Sequence, residues 1–167
     1  FEGIDGCGKT TQINLISKYL IEKGINNTII REPGNTRISE CIREILLDND
    51  NKISKITETL LFLSARSHLV DEVIKPKMLN EIILCDRYLD STTAYQGYGN
   101  DFDVDIINDM NKFATNKLLP ELTIIFDIDP KTSFERINKK SMDRMESKGI
   151  EYFSKVRNGY LKIADLN

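Results

Sequence analysis

Residues 3–10 read Gly3-Ile4-Asp5-Gly6-Cys7-Gly8-Lys9-Thr10. They match G-x-x-x-x-G-K-[ST], the loop that holds the phosphates of a nucleoside triphosphate. Its glycines permit backbone conformations that a Cβ forbids, so successive N–H groups can turn inward as an anion nest. Lys9 then reaches the β- and γ-phosphates, and the Thr10 hydroxyl is a Mg²⁺ ligand. A glycine-rich turn matching by accident is the bland alternative, and the context argues against it. Ile13, Leu15, Ile16, Tyr19 and Leu20 follow at a spacing that predicts a helix with an apolar face, and a helix N-terminus favours anions. The strand that should precede the loop is only the stub Phe1-Glu2, so the natural protein is expected to begin several residues earlier.

Outward from the loop, strand and helix alternate. Thr28-Ile29-Ile30 reads as a short strand, ended by Arg31-Glu32-Pro33-Gly34. Helices are expected over Ile38 to Leu47 and Ile53 to about Met78, the latter bent or ended by Pro76. Ile82-Ile83-Leu84-Cys85 reads as a buried parallel strand. A helix covers about Val104 to Lys117, and Leu122 to Ile128 reads as another buried strand. Asp129-Pro130 opens a helix as cap and first-turn proline. After the polar stretch Asn138 to Lys148, a last helix runs to about Ala164. This order predicts an α/β fold, a parallel sheet with helices on both faces in three layers. Ligands of such sheets bind beyond the carboxyl ends of the strands. Three segments fall there and are expected to be loops: Gly3 to Thr10, Arg31 to Thr36, and Asp86 to Gln96.

The chain has 167 residues, 29% charged and 40% hydrophobic, which suits one globular domain. A net charge of −3 does not advertise nucleic-acid binding. No apolar run approaches a membrane span. Cys7, Cys41 and Cys85 are odd in number and far apart, which argues against a disulfide framework or a zinc site and for a reducing cytoplasm.

Asp86 ends its strand where a second Mg²⁺-organising carboxylate belongs. Arg87, beside it, can grip a phosphate with two hydrogen bonds. Phe62 and Arg66 lie one helical turn apart and so share a face. A ring beside a guanidinium suits a planar base, although a Phe among leucines is usually core. Lys139, Lys140, Arg144 and Lys148 make the polar stretch a candidate lid. His68, the only histidine, is expected to be an exposed polar residue on a helix.

These elements together resemble the thymidylate kinase family over the whole length. The resemblance rests on the segment Phe1 to Gln12, Arg31-Glu32-Pro33-Gly34, Phe62 with Ala65-Arg66, Asp86-Arg87-Tyr88, Ser91 through Ala94-Tyr95-Gln96-Gly97, and Asp143-Arg144-Met145-Glu146. It implies a P-loop NTPase fold of the nucleoside monophosphate kinase type, ATP and dTMP as substrates, Mg²⁺ dependence, and a homodimer packed through helices. It places ATP on Gly3, Ile4, Asp5, Gly6, Cys7, Gly8, Lys9, Thr10 and Thr11. Phe62 looks like the ring stacked on thymine and Arg66 like the donor to a thymine carbonyl. Thr92 and Gln96 match positions that complete the base edge, and Tyr95 looks like the ring beneath the sugar. Arg43 and Arg87 would hold the dTMP phosphate, with Asp5, Glu32 and Pro33 beside it. Lys9, Arg87, Arg144 and Asp5 form the expected catalytic set, Arg144 acting from the lid because position 6 is Gly. Thr10 and Asp86 form the expected metal pair. Two features depart from the family: Asn35 stands where a second Gly is common, and the lid before Asp143 looks short, which also touches Arg136. The family also implies one more strand and helix beyond the present end.

A deoxynucleoside kinase is the runner-up reading, with Glu32 as base for a neutral hydroxyl. A GTP-dependent switch is discarded, because no Asn-Lys pair is followed by the required Asp.

Overall fold

The computed structural model describes residues 1–137 and 142–166. Strand β1 (Asn27–Arg31) pairs in parallel with β2 (Ile82–Asp86), Asn27 opposite Ile82 and Arg31 opposite Asp86. The sheet edge continues through the first residues of the chain. Arg87 N donates to Phe1 O at 3.0 Å, Glu2 N donates to Ile124 O at 2.8 Å, and Phe126 N returns a 2.8 Å bond to Glu2 O. The strand expected over Leu122 to Ile128 is therefore reduced to one parallel bridge, Glu2 to Ile125. Leu122 is 74% exposed, and in β2 only Leu84 is buried, so neither run is the fully covered strand that its apolar composition suggests.

The helices follow the alternation. They are α1 (Lys9–Glu22), α2 (Arg37–Leu47), and α3 (Lys55–Leu69). The last passes through a π-helical stretch, Val70–Ile74, into the short α4 (Lys75–Lys77). Pro76 thus stands near the end of one continuous helical rod, as the sequence predicts. Thr36 and Ser54 cap α2 and α3, their side chains accepting from Ser39 N and Thr57 N. In α1 the buried face carries Ile13 and Ser17, while Leu15 and Tyr19 are more than half exposed. At about 100° per residue, positions two and six after Ile13 turn away from its face, so the apolar stripe is narrower than expected.

Beyond β2 lies an element the sequence does not suggest. In place of the loop expected over Asp86 to Gln96, α5 (Leu89–Thr92) runs into a π-helical segment, Thr93–Gly99. It is buried nearly all round. Then come α6 (Val104–Ala114), α7 (Pro130–Ile137) and α8 (Ile150–Leu166). The core joins the π-helical segment to α8 through Ala94, Tyr95, Phe153, Val156 and Tyr160, together with Ile4 of the phosphate loop. Glu2, 2% exposed, is the polar node of this region. Its carboxylate accepts from Tyr88 N, Ser91 N, Ser91 Oγ and Tyr160 Oη.

Candidate active site

The phosphate loop takes the geometry its glycines require. Gly8 has φ 99° and caps α1 without a side-chain bond, leaving the first amides of the helix open to an anion. Gly3 has φ 137°, and a Cβ there would stand 2.5 Å from Phe126 O. Helix α7 braces the loop from outside: Ser133 Oγ donates to Asp5 O at 2.5 Å and Arg136 donates to Gly6 O at 2.9 Å. Lys9, 6% exposed, points its ammonium at Gly3 O (3.0 Å) and Ile4 O (3.2 Å), with Cys7 Sγ at 3.7 Å. Burial first, then the nearby Arg87 charge, lowers the Lys9 pKa below its ordinary value.

Thr10 and Asp86 meet at the end of β2, Oγ1 donating to Oδ2 at 2.9 Å. This pair is the one expected to hold Mg²⁺, and a hydroxyl beside a carboxylate at the loop is a donor set suited to that hard cation. Beside it Arg87 adopts φ 73°, unusual for a residue with a side chain. Its guanidinium binds Asp5 Oδ1 (2.6 Å), Gly3 O (3.0 Å) and Ser91 Oγ (3.2 Å), and lies 5.0 Å from the centre of the Tyr95 ring. Tyr95 in turn donates to Asp5 Oδ2 at 2.7 Å. Burial alone would raise the Asp5 pKa. The Arg87 and Lys9 charges and the Tyr95 hydroxyl outweigh it and hold the carboxyl below its ordinary value.

A second cleft opens on the other side of Arg87. It is lined by Phe62 and Arg66 from α3, Thr92, Tyr95 and Gln96 from the α5 region, and Pro33, Arg43 and Asp143. Asp5, Glu32, Arg43 and Arg87 line both this cleft and the one at the phosphate loop. The turn that carries Glu32 is intact: the Glu32–Pro33 peptide is cis, and Asn35 takes φ 68° where the family commonly has glycine. Arg43 donates to Pro33 O at 3.0 Å. Arg66 reaches the cleft wall as expected, but with its donors committed. Nε and NH2 meet Glu32 Oε2 at 2.7 Å, NH1 meets Thr92 Oγ1 at 2.8 Å and Asn111 Oδ1 at 2.7 Å, and NH2 also meets Tyr88 O at 2.8 Å. Burial raises the Glu32 pKa despite Arg66, and Glu32 Oε1 is buried without a partner among the described residues.

The lid residues divide. Lys139 and Lys140 lie outside the described residues. Arg144 is described, and it is not at the phosphate loop. Its Nε donates to Leu46 O at 2.6 Å and its NH1 to Glu58 Oε2 at 2.7 Å. Glu58, 2% exposed, also receives Lys148. A buried carboxylate is a strong sink for two cations, which is why Arg144 rests there. Among the described residues, Arg136 of α7 touches the loop, through Gly6 O. Sequence reasoning passes over Glu58, although it sits one turn before Phe62 on the same face of α3. His68 is half-buried rather than exposed and does not line either cleft.

Two clefts sharing two arginines and two acids suit the passage of one phosphoryl group between two anionic ligands. On this parallel sheet they define a P-loop phosphotransferase of the nucleoside monophosphate kinase type. The family model for thymidylate kinase matches residues 1–167. A thymidylate kinase from Thermosipho africanus is 48% identical over 99% of this chain and 83% of its own length. One from Thermoanaerobacter pseudethanolicus is 44% identical over 98% and 81%. The crystal structure of thymidylate kinase from Ehrlichia chaffeensis superposes with a TM-score of 0.82 at 36% identity, covering 100% of this chain and 80% of that one. The chain belongs to the thymidylate kinase family. This membership does not favour the deoxynucleoside kinase reading.

Proposed function

We propose that the protein transfers the γ-phosphoryl group of ATP to dTMP, giving ADP and dTDP. The observation that carries this reading is the seam between the clefts, formed by Asp5, Glu32, Arg43 and Arg87. ATP takes the phosphate loop, with Lys9 and the open amides of α1 on its phosphates. dTMP takes the other cleft, its base against Phe62 and its phosphate toward Arg43 and Arg87. A thymine carbonyl reaching Arg66 shares a donor that Thr92 or Asn111 holds in this structure. Tyr95, buried under Arg87, closes the floor near the sugar.

The transfer breaks the bond from the γ-phosphorus to the β–γ bridging oxygen and forms one to a dTMP phosphate oxygen. An acceptor phosphate, with second pKa near ~6, is already largely ionised at neutral pH. The chain therefore has to position and neutralise rather than abstract a proton. Lys9 neutralises charge from the phosphate-loop cleft and Arg87 from the seam itself. Asp5 holds the Arg87 fork in place. Thr10 and Asp86 would hold Mg²⁺, which supplies charge neutralisation at the triphosphate. Arg144 acts as a charge-stabilising group only if it leaves Glu58; in this structure it stands behind the cleft wall, on Leu46 O and Glu58.

We assign a homodimer built on α2, α3 and α6. These helices pack side by side, yet Ile38 (52%), Ile45 (45%), Ile56 (64%), Leu60 (49%) and Ile106 (60%) stay exposed. Their spacings, i to i+7 on α2 and i to i+4 on α3, make continuous stripes, and contiguous apolar patches mark interfaces. The activity is placed in the cytoplasm, where the free thiols of Cys7, Cys41 and Cys85 stay reduced.

An ADP-release assay with ATP, Mg²⁺ and either dTMP or thymidine tests the reading. Turnover with dTMP and none with thymidine supports it; turnover with thymidine alone overturns it.

A further inference from the structure

Glu58 lies behind Gln96, which lines the proposed dTMP cleft, and meets residues from two separate parts of the chain. Its Oε1 accepts from Gln96 Nε2 (3.1 Å), Asn100 Nδ2 (3.1 Å) and Lys148 Nζ (2.8 Å). Its Oε2 accepts from Arg144 NH1 (2.7 Å) and Lys148 Nζ (2.9 Å). Burial alone would raise its pKa. The Lys148 charge and the bonds from Lys148, Gln96 and Arg144 outweigh that and hold it below the ordinary value. At neutral pH Glu58 is thus a carboxylate, and a carboxylate can only accept hydrogen bonds.

That restriction acts on Gln96. Its amide has one donating and one accepting end, and Glu58 can take only the donating end. The carbonyl end is what Gln96 has left to offer the cleft it lines. Thymine carries a donor, N3–H, between its two carbonyls. Cytosine carries a bare acceptor at N3. A carbonyl facing that edge meets thymine with a hydrogen bond and cytosine with two lone pairs opposed.

We propose that Glu58 is a specificity-determining positioning residue: it fixes the orientation of the Gln96 amide so that the cleft accepts a pyrimidine with an N3–H and rejects one without. Glu58 does not touch the base; it acts through Gln96. The inference rests on the assignment of the Phe62 cleft to dTMP.

Glu58→Gln separates this role from a merely structural one. The single oxygen of the substituted amide goes to Arg144 and Lys148, which only donate, and its NH₂ turns toward Gln96. Gln96 then flips and presents its own NH₂ to the cleft. The experiment measures kcat/KM for dTMP and dCMP with ATP and Mg²⁺ in the full chain, wild type and variants. In Glu58→Gln, the dCMP-to-dTMP ratio of kcat/KM should rise by about tenfold or more. Glu58→Asp, still acceptor-only, should keep the wild-type ratio even where both values fall. Asn100→Ala, which removes another donor from Oε1 but leaves the Gln96 bond, should leave the ratio unchanged. If Glu58→Gln does not fold, the comparison moves to Glu58→Asp and Glu58→Ala: Asp must keep the ratio and Ala must raise it. An unchanged ratio in a folded Glu58→Gln or Glu58→Ala overturns the proposal while leaving dTMP as substrate. A wild-type enzyme that does not prefer dTMP over dCMP overturns both readings.

Discussion

Thr10 and Asp86, 76 positions apart in the chain, meet through a 2.9 Å hydrogen bond from Oγ1 to Oδ2. If this pair holds the metal, each partner needs the other. Thr10→Val and Asp86→Asn should each lower kcat by about a hundredfold or more. The double variant should lose little beyond either single one, because groups acting as a unit are not additive. A Mg²⁺ titration of activity should show both singles needing more metal. Full additivity, or unchanged Mg²⁺ dependence, would remove Thr10 and Asp86 from the metal site.

Lys9 is buried against loop carbonyls. Lys9→Met should preserve the fold and lower kcat by roughly 10²–10³, as expected for losing a preorganised charge at the transferring group. Lys9→Arg should not restore it, since the wider guanidinium does not fit the pocket between Gly3 O and Ile4 O. Steady-state kinetics decides; near-normal turnover in either variant would contradict the role.

Phe62 is half-buried at the cleft wall and packs against the core cluster around Tyr95. Phe62→Ala should raise the dTMP KM by about tenfold or more through lost ring contact, with the ATP KM unchanged. If the dTMP KM stays put and only stability falls, Phe62 is core.

The legible part of this site is the part where chemistry restricts residue type. Few residues can replace Gly8, Lys9 and Thr10 in a phosphate loop, and Asp86 and Arg87 stand at a strand end that the apolar run before them marks. What escapes is explained by burial and reach. The segment from Thr93 to Gly99 is helical, but its buried residues face inward on nearly every side, so no polar stripe betrays the period. The motif around Arg144 suggests a lid over the phosphates. The charge that holds Arg144 instead is Glu58, 86 positions earlier, and no local pattern shows that. Ser133 and Arg136 brace the loop from 128 and 130 positions away, equally outside any spacing rule.

Asp90 offers a pH signature. Burial first, then the Glu2 charge, raises its pKa from 3.8 to about 6. The folded state therefore holds this proton more tightly than the unfolded state does. Stability should rise as pH falls from about 6 toward 3.8 and carry a penalty above that window. Asp90→Asn removes the penalty. At pH 7 it should stabilise by about 1–2 kcal/mol, discounted for partial exposure, and raise Tm by about 2–8 °C. Near pH 4 the gain should vanish. Melting curves showing no gain at pH 7, or an equal gain at both pH values, would refute it.

The exposed stripes on α2 and α3 set a test of assembly. Ile45→Glu with Leu60→Glu should convert a dimer to a monomer at micromolar concentration, since two charges per subunit in an apolar interface cost several kcal/mol. Sedimentation equilibrium reads this directly. A monomeric wild type would end the assignment.

Glu2 has a consequence for the timing of folding. Its carboxylate is buried, yet two of its partners lie 89 and 158 positions downstream, at Ser91 and Tyr160. A ribosome adding about 5–20 residues per second therefore delivers Tyr160 roughly 8–30 s after Glu2. Throughout that interval the buried carboxyl group of Glu2 lacks its Tyr160 partner, and its hydrogen-bond shell is incomplete. The edge beside the nucleotide-binding loop therefore completes its polar shell only when α8 docks.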